Sequence, residues 1–299
     1  MIDEIISILA SALTDKMKEN KIRVDENADD TQKILNYLDN RERFIDIFPR
    51  NVVESEELKY KLEKKSIGVD EDTEYIFNGY NYIKSLFENG KNINYHLSRK
   101  IFDSRDSKKD MLLNAWKIKH VHLTDIETNS KTGMKRNRSK YLLFFIVNKK
   151  NAYFIDIIEH PQANKFFCFN LLKIIKNNGW MNLIGYLENE NPNYVPGSLK
   201  PVITNDEDLT KIYCDYKSNI AFDFDGRMYI SINGITSSGD TFDNVTNIQN
   251  LKNDIQKLVC KDKYELFEVN PINIDVNGKV TFIVSIKRDG LIESFKFFL

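Results

Sequence analysis

Three of the four histidines of this 299-residue chain, His120, His122 and His160, fall within one stretch, KIKHVHLTDIETNSKTGMKRNRSKYLLFFIVNKKNAYFIDIIEH, from Lys117 to His160. An imidazole titrates near neutrality. Two of them can therefore divide the proton transfers of phosphodiester cleavage, one taking a proton from a 2′-hydroxyl and another giving one to the leaving oxygen. Between the pair and the third histidine runs KTGMKRNRSK, and Lys117 to Lys140 holds seven basic residues against Asp125 and Glu127. Such a local excess attracts phosphate and can stabilise charge on a phosphorane-like transition state. The expected catalytic residues are His120, His122 and His160. The expected nucleic-acid-binding residues are Lys119, Lys135, Arg136, Arg138 and Lys140.

The spacing supports this grouping. On a strand alternate side chains share a face, so Ile118, His120, His122, Thr124 and Ile126 line up together, with Lys117, Lys119, Val121, Leu123 and Asp125 opposite. On a later strand Phe154, Asp156, Ile158 and His160 share a face. Two imidazoles between isoleucines are costly in a plain core, because each buried ring needs partners for both nitrogens. A metal is the first alternative: His-x-His on a strand chelates well, and His120, His122 and His160 with Asp156 or Asp125 would make the set. A second is the His-x-Thr/Ser motif of the two-histidine phosphoesterases, which His96-Leu97-Ser98 and His122-Leu123-Thr124 resemble. A third is that His120 and His122 are structural histidines at a strand edge. The reading carried forward needs no metal and no cofactor.

The elements that must position these residues follow from hydrophobic periodicity. Ile2, Ile5, Ile6, Leu9, Leu13 and Met17 repeat at the helical period. DDTQKILNYLDNRERFIDI predicts a second helix capped by Asp30 or Thr31, and SEELKYKLEKK a third. DEDTEYIFNGYNYIKSLFENGKNI has acids at its start and Gly90 at its end, as a helix prefers. NINYHLSRKIF and SKKDMLLNAW each suggest one more short helix. From Lys117 the period becomes two. KIKHVHLTDI, YLLFFIVN and AYFIDIIEH read as strands, the last two joined through NKKN. NKFFCFNLLKIIKNNG then reads as a helix ending at Gly179. NIAFDFDGRMYISINGI holds a hairpin at Asp225-Gly226. INIDVNGKVTFIVSIKRDGLIESFKFFL, with Asn277-Gly278 and Asp289-Gly290, reads as a β-meander. The expected fold is α+β: a helical region over 1–115, a central α/β module over 116–190 with a small antiparallel sheet and a packed helix, and a β-rich module over 197–299.

Composition bounds the function. Hydrophobic residues at 41% and aromatics at 12% belong to a globular chain. Lys plus Arg at 43 against Asp plus Glu at 44 give the whole chain no polycation character, so any nucleic-acid argument must be local. Cys168, Cys214 and Cys260 are odd in number and widely spaced, which disfavours a disulfide framework or zinc–thiolate site and suits a reducing cytosol. Asp3 and Glu4 stand where a signal peptide needs positive charge. No segment reaches the roughly 20 apolar residues of a membrane span. A cytoplasmic location without membrane association is expected. Walker, Gly-x-Gly-x-x-Gly, His-Glu-x-x-His and Gly-x-Ser-x-Gly motifs are all missing, which argues against P-loop, dinucleotide, zincin and serine-hydrolase chemistry.

Residues 117 to 178, with HVHL, then KRNRSKYLLFFIV, then AYFIDIIEH, resemble the RelE-like endoribonuclease toxins. In that family a small antiparallel sheet bearing basic residues and a histidine or tyrosine cleaves RNA without metal. The resemblance implies Lys119, His120, His122, Arg136, Arg138 and His160 as catalytic positions, and a growth-inhibition or phage-defence role. The function expected is cleavage of nucleic acid, RNA first, by a metal-independent endoribonuclease. The rival is a non-catalytic binding or scaffold protein whose helical N-terminal region and C-terminal meander are interaction modules, with a protein partner through the helical region.

Overall fold

The computed structural model describes residues 2–67, 73–105, 109–123, 140–160, 166–215, 221–232, 234–259, 265–274, 279–288 and 291–299. The helices are α1 (Ile2–Glu19), α2 (Asp30–Arg43), α3 (Glu56–Glu63), α4 (Thr73–Glu88), α5 (Met111–Trp116), α6 (Phe169–Asn177), α7 (Asp206–Thr210) and α8 (Phe242–Val259). The strands are β1 (Asn51–Glu54), β2 (Lys119–His122), β3 (Tyr141–Val147), β4 (Asn151–Glu159), β5 (Tyr186–Glu188) and β6 (Val202–Ile203). They continue with β7 (Phe222–Phe224), β8 (Arg227–Ser231), β9 (Glu265–Ile274), β10 (Val280–Arg288) and β11 (Leu291–Phe298). The fold is α+β and ends in an antiparallel meander. No helix among the described residues is long and apolar enough to cross a membrane.

The chain forms two compact units: residues 1–46, 100–109 and 240–299 in the first, and residues 47–99 and 110–239 in the second. The expected division at 115 and 197 is linear, whereas each unit draws on separated segments. The reason in the first unit is burial. The stripe Ile5, Ile6, Leu9, Leu13 and Met17 of α1 shares a core with Ile34 and Leu38 of α2, Ile248, Leu251 and Ile255 of α8, and Phe282, Val284 and Ile286 of β10. Each such side chain contributes roughly 1.5–3 kcal/mol by leaving water. The meander is ordered β11-β10-β9, and alternate residues of β10 (Val280, Phe282, Val284, Ile286) face that core.

The first unit also corrects one expectation and adds an element to another. The cap of α2 is Asp29, not Asp30 or Thr31: its carboxylate accepts from the Gln32 N–H at 2.8 Å. The C-terminal region, expected to be β-rich, contains the 18-residue helix α8, whose Ile248, Leu251 and Ile255 recur at helical spacing.

The second unit is built on the sheet β1-β4-β3-β2, with β1 parallel to β4 and the other pairs antiparallel. Strand β1 lies inside the region expected to be helical, and four residues are too few to show a period. Strand β3 reads YLLFFIV because six of its seven residues are buried, so both faces are covered. On one face Tyr80 and Phe87 of α4 meet Phe145 and Phe154 edge to face. On the other, Leu142, Phe144, Ile146 and Ile155 share a core with Leu171, Leu172, Ile174 and Ile175 of α6. Phe222, Phe224 and Tyr229, from the second sheet β5-β8-β7-β6, belong to that same core.

The local signals fare unevenly here. Gly90 ends the turn after α4 with φ +59°, and an added Cβ would lie 2.5 Å from the Pro49 nitrogen, so the position demands glycine twice over. Asp225 and Gly226 both have positive φ, as the β7–β8 hairpin requires. NINYHLSRKIF forms two short 3₁₀ turns, Asn94–His96 and Arg99–Phe102, in place of an α-helix. Helix α6 starts at Phe169, later than NKFFCF suggests. Cys168 is extended, and the Asp206 carboxylate accepts from the Phe169 N–H at 2.6 Å. Asn277-Gly278 and Asp289-Gly290 lie outside the described residues.

Candidate active site

Strand pairing decides which groups share a face. Strand β2 runs against β3 with His120 opposite Phe144 and His122 opposite Leu142, while β4 sets Asp156 opposite Phe144 and Ile158 opposite Leu142. His160, two residues beyond Ile158, continues the same row, and its N–H donates to the Lys140 carbonyl at 2.5 Å. The three histidines therefore come to one end of one sheet face.

The rings converge. Those of His122 and His160 lie nearly parallel with centroids 6.0 Å apart. Phe166 stacks on His120 at 4.9 Å and meets His160 edge-on at 5.6 Å, so one phenyl ring links the two. His120 also touches Phe144 at 5.6 Å. Exposure is graded: His122 is buried at 6%, His120 is half-buried and His160 is exposed.

The fourth histidine sits behind the pair. His96 is 3% exposed, its Nδ1 lies 3.3 Å from the His122 carbonyl oxygen, and its ring contacts Tyr82 at 5.6 Å. A carbonyl only accepts, so Nδ1 of His96 carries the hydrogen of that bond. The Tyr75 hydroxyl donates to the next carbonyl, that of Leu123, at 3.1 Å. Side chains from α4 and from the 3₁₀ turn thus fix the backbone that carries His122.

Asp156, on the same face, is buried and already engaged. Both carboxylate oxygens accept from the Lys61 ammonium, at 2.6 and 2.7 Å, and one also accepts the Ile157 N–H at 2.8 Å. Burial pushes the Asp156 carboxyl up, against the opposing pull of Lys61. Among the described residues no group of three His, Cys, Asp or Glu side chains is placed to hold a metal ion. Asp125 lies outside those residues.

The basic candidates divide. Lys140 is exposed at the start of β3, its ammonium 5.3 Å from the Tyr141 ring. Lys119 is half-buried and opposite Phe145, which puts it on the face away from the histidines. Lys135, Arg136 and Arg138 lie outside the described residues, as does Thr124 of His122-Leu123-Thr124. Phe166 and His96 were missed as neighbours of the cluster. NKFFCF looked like the first turn of a helix, and nothing in His96-Leu97-Ser98 shows what it touches. Comparison of the chain with family models, curated proteins and solved structures returned no match.

Proposed function

We propose that the second unit cleaves nucleic acid, RNA first, by histidine acid–base catalysis at His122 and His160, with His120 beside them. The supporting observation is the convergence of the three rings at one end of one face, with His122 and His160 6.0 Å apart. Exposed His160 is the group best placed to exchange protons with solvent and leaving group. His122, buried and carried on a backbone held by His96, is assigned the role of base. The loop residues Lys135, Arg136 and Arg138, with Lys140, supply the phosphate contacts, in keeping with the RelE-like resemblance and the growth-inhibition or defence role it implies. The reaction needs no metal.

The test is cleavage of short single-stranded RNAs by the full chain, with folding checked by thermal melts. His122→Ala and His160→Ala should each lower the rate by roughly 10²-fold or more, with RNA binding retained. Arg136→Ala combined with Arg138→Ala should instead weaken binding and flatten its salt dependence. The rate should follow pH through the histidine range and survive EDTA. Loss of activity on chelation, restored by added metal, would replace this mechanism with the metal reading.

A binding role has one observation in its favour: Leu187 and Ile230 are paired across β5 and β8, 50% and 43% exposed, with Ile232 at 54% beyond them. A folded chain that binds a protein partner there, and shows no pH-dependent cleavage, would decide for it.

A further inference from the structure

We propose that β11 is a self-association edge, pairing antiparallel with β11 of a second copy about a two-fold axis at Phe295. The pairing joins two three-stranded meanders into one continuous sheet. The meander is ordered β11-β10-β9, so β11 and β9 are its edges among the described residues.

The two edges are built differently. An open strand edge presents a row of unpaired backbone groups to any other strand, and edge strands are usually disrupted to prevent such pairing. Strand β9 is disrupted. Its register against β10 shifts twice, and it contains Pro271, which has no N–H to donate. Strand β11 pairs with β10 residue for residue from Leu291 to Phe298, without a shift and without proline. One edge is closed to strand addition, and the other is left regular.

The phase of the backbone bonding defines what β11 presents. Val280 and Leu299 exchange both backbone hydrogen bonds, at 3.0 and 2.9 Å. Bonded and non-bonded pairs alternate along an antiparallel ladder. Phe297, Phe295 and Glu293 are therefore committed to β10, while the N–H and C=O groups of Ile292, Ser294, Lys296 and Phe298 point away from it. The side chains of these four share the face opposite the core, because side chains alternate and Phe297 is the buried neighbour of exposed Phe298.

The occupant follows from symmetry. About a two-fold axis normal to the sheet, residues equally far from the axis stand opposite one another on the same face. Ile292 and Phe298 are the exposed apolar side chains described on β11, at 53% and 55%, and each lies three residues from Phe295. With the axis there, Ile292 of each copy meets Phe298 of the other, and Ser294 meets Lys296. An aromatic ring opposite a β-branched side chain is a favourable cross-strand pair, and all four outward residues form bonded pairs. An axis at Lys296 would set two ammonium groups opposite one another, which is unfavourable. An axis at Ser294 would leave Phe298 beyond the end of the opposing strand. The edge is thus complementary to itself reversed, in one register.

This contact is independent of histidine cleavage. Two eight-residue strands bury less than the roughly 1,200–2,000 Å² of a stable complex, so the dimer exchanges with monomer. Sedimentation of the full chain should show the mass rising from monomer to dimer with concentration. Ser294→Pro removes an outward N–H and leaves the β10 ladder intact, and it should hold the chain monomeric where its parent is half dimer. Ile292→Lys, at an exposed position, should weaken the dimer roughly tenfold through two lost cross-strand pairs, and decides the matter if Ser294→Pro fails to fold by circular dichroism. The register is read by cross-linking. Opposed bonded residues lie about 5.5 Å apart at Cα, within disulfide reach. Ile292→Cys combined with Phe298→Cys should link two copies on mild oxidation, whereas Ser294→Cys alone should link no more than the parent chain. The proposal is overturned if the chain is monomeric at every concentration, if the folded variants dimerise like their parent, or if Ser294→Cys links as readily as the double variant.

Discussion

Each unit encloses a polar cluster, and the two are built on opposite principles. In the second unit the imidazoles form a graded series from buried His122 to exposed His160. In the first unit Asp39, Asp240 and Lys109 are sealed: their residues or side chains are 3%, 0% and 5% exposed. Lys109 contacts Asp240 at 2.6 Å, and the Asn244 amide donates to Asp39 at 2.8 Å. Two carboxyls thus lie near one another in a low-dielectric interior, where ionising both is costly. Burial, with Asp240 alongside, pushes Asp39 up to about 7, although the Asn244 bond pulls the other way. Burial by itself therefore marks no reaction centre. The sealed cluster has the perturbed acid, and the open one has the access that a substrate needs.

The largest effect expected of a single change is structural. Lys109→Met should destabilise the first unit by about 3–5 kcal/mol, because it strands a buried carboxylate; chemical denaturation measures this. A cost near zero would mean that the cluster is wetter than its burial indicates.

The contrast is sharpened by pH. A carboxyl whose folded pKa is raised binds its proton more tightly in the folded state than in the unfolded one. Its stabilisation is complete below the unfolded value of 3.8 and is lost as pH rises through about 7. Denaturant midpoints between pH 4 and pH 8 should fall across that window, and Asp39→Asn, which keeps an oxygen for Asn244, should flatten the fall. An unchanged slope in that variant would assign the proton elsewhere.

Lys61→Met should cost less, about 1–3 kcal/mol, since Lys61 is one-third exposed and water can reach the site it vacates. The smallest effect should be that of His160→Ala on stability, within about 0.5 kcal/mol, as for other exposed positions. A large drop in its melting temperature would make His160 a structural residue and remove the contrast between the clusters.

Much of this was legible along the chain. The stripes of α1 and α2, the acidic start and Gly90 stop of α4, the NKKN and Asp225-Gly226 turns and the alternation of β10 depend on neighbours within a few residues, and local patterns report such neighbours directly. Alternation also gave His120 and His122 a common face, and Asp156 and His160 another. Other features were out of reach, because their causes lie far away in the chain. Strand β1 exists by pairing with β4, a hundred residues on. The start of α6 is set by Asp206.

The sequence by itself determined that the chain is α+β, that His120 and His122 lie on one strand, and that the second and third strands of their sheet form a hairpin. Only the tertiary structure decided that those two faces are one face, that Phe166 bridges His120 and His160, and that Asp156 is spent on Lys61. It also decided that α1 and α2 share a core with α8 and the meander. The physical reason is the same throughout. A side chain's orientation follows from local backbone geometry, whereas its partner follows from which buried surfaces meet, and that is settled only when the whole chain excludes water.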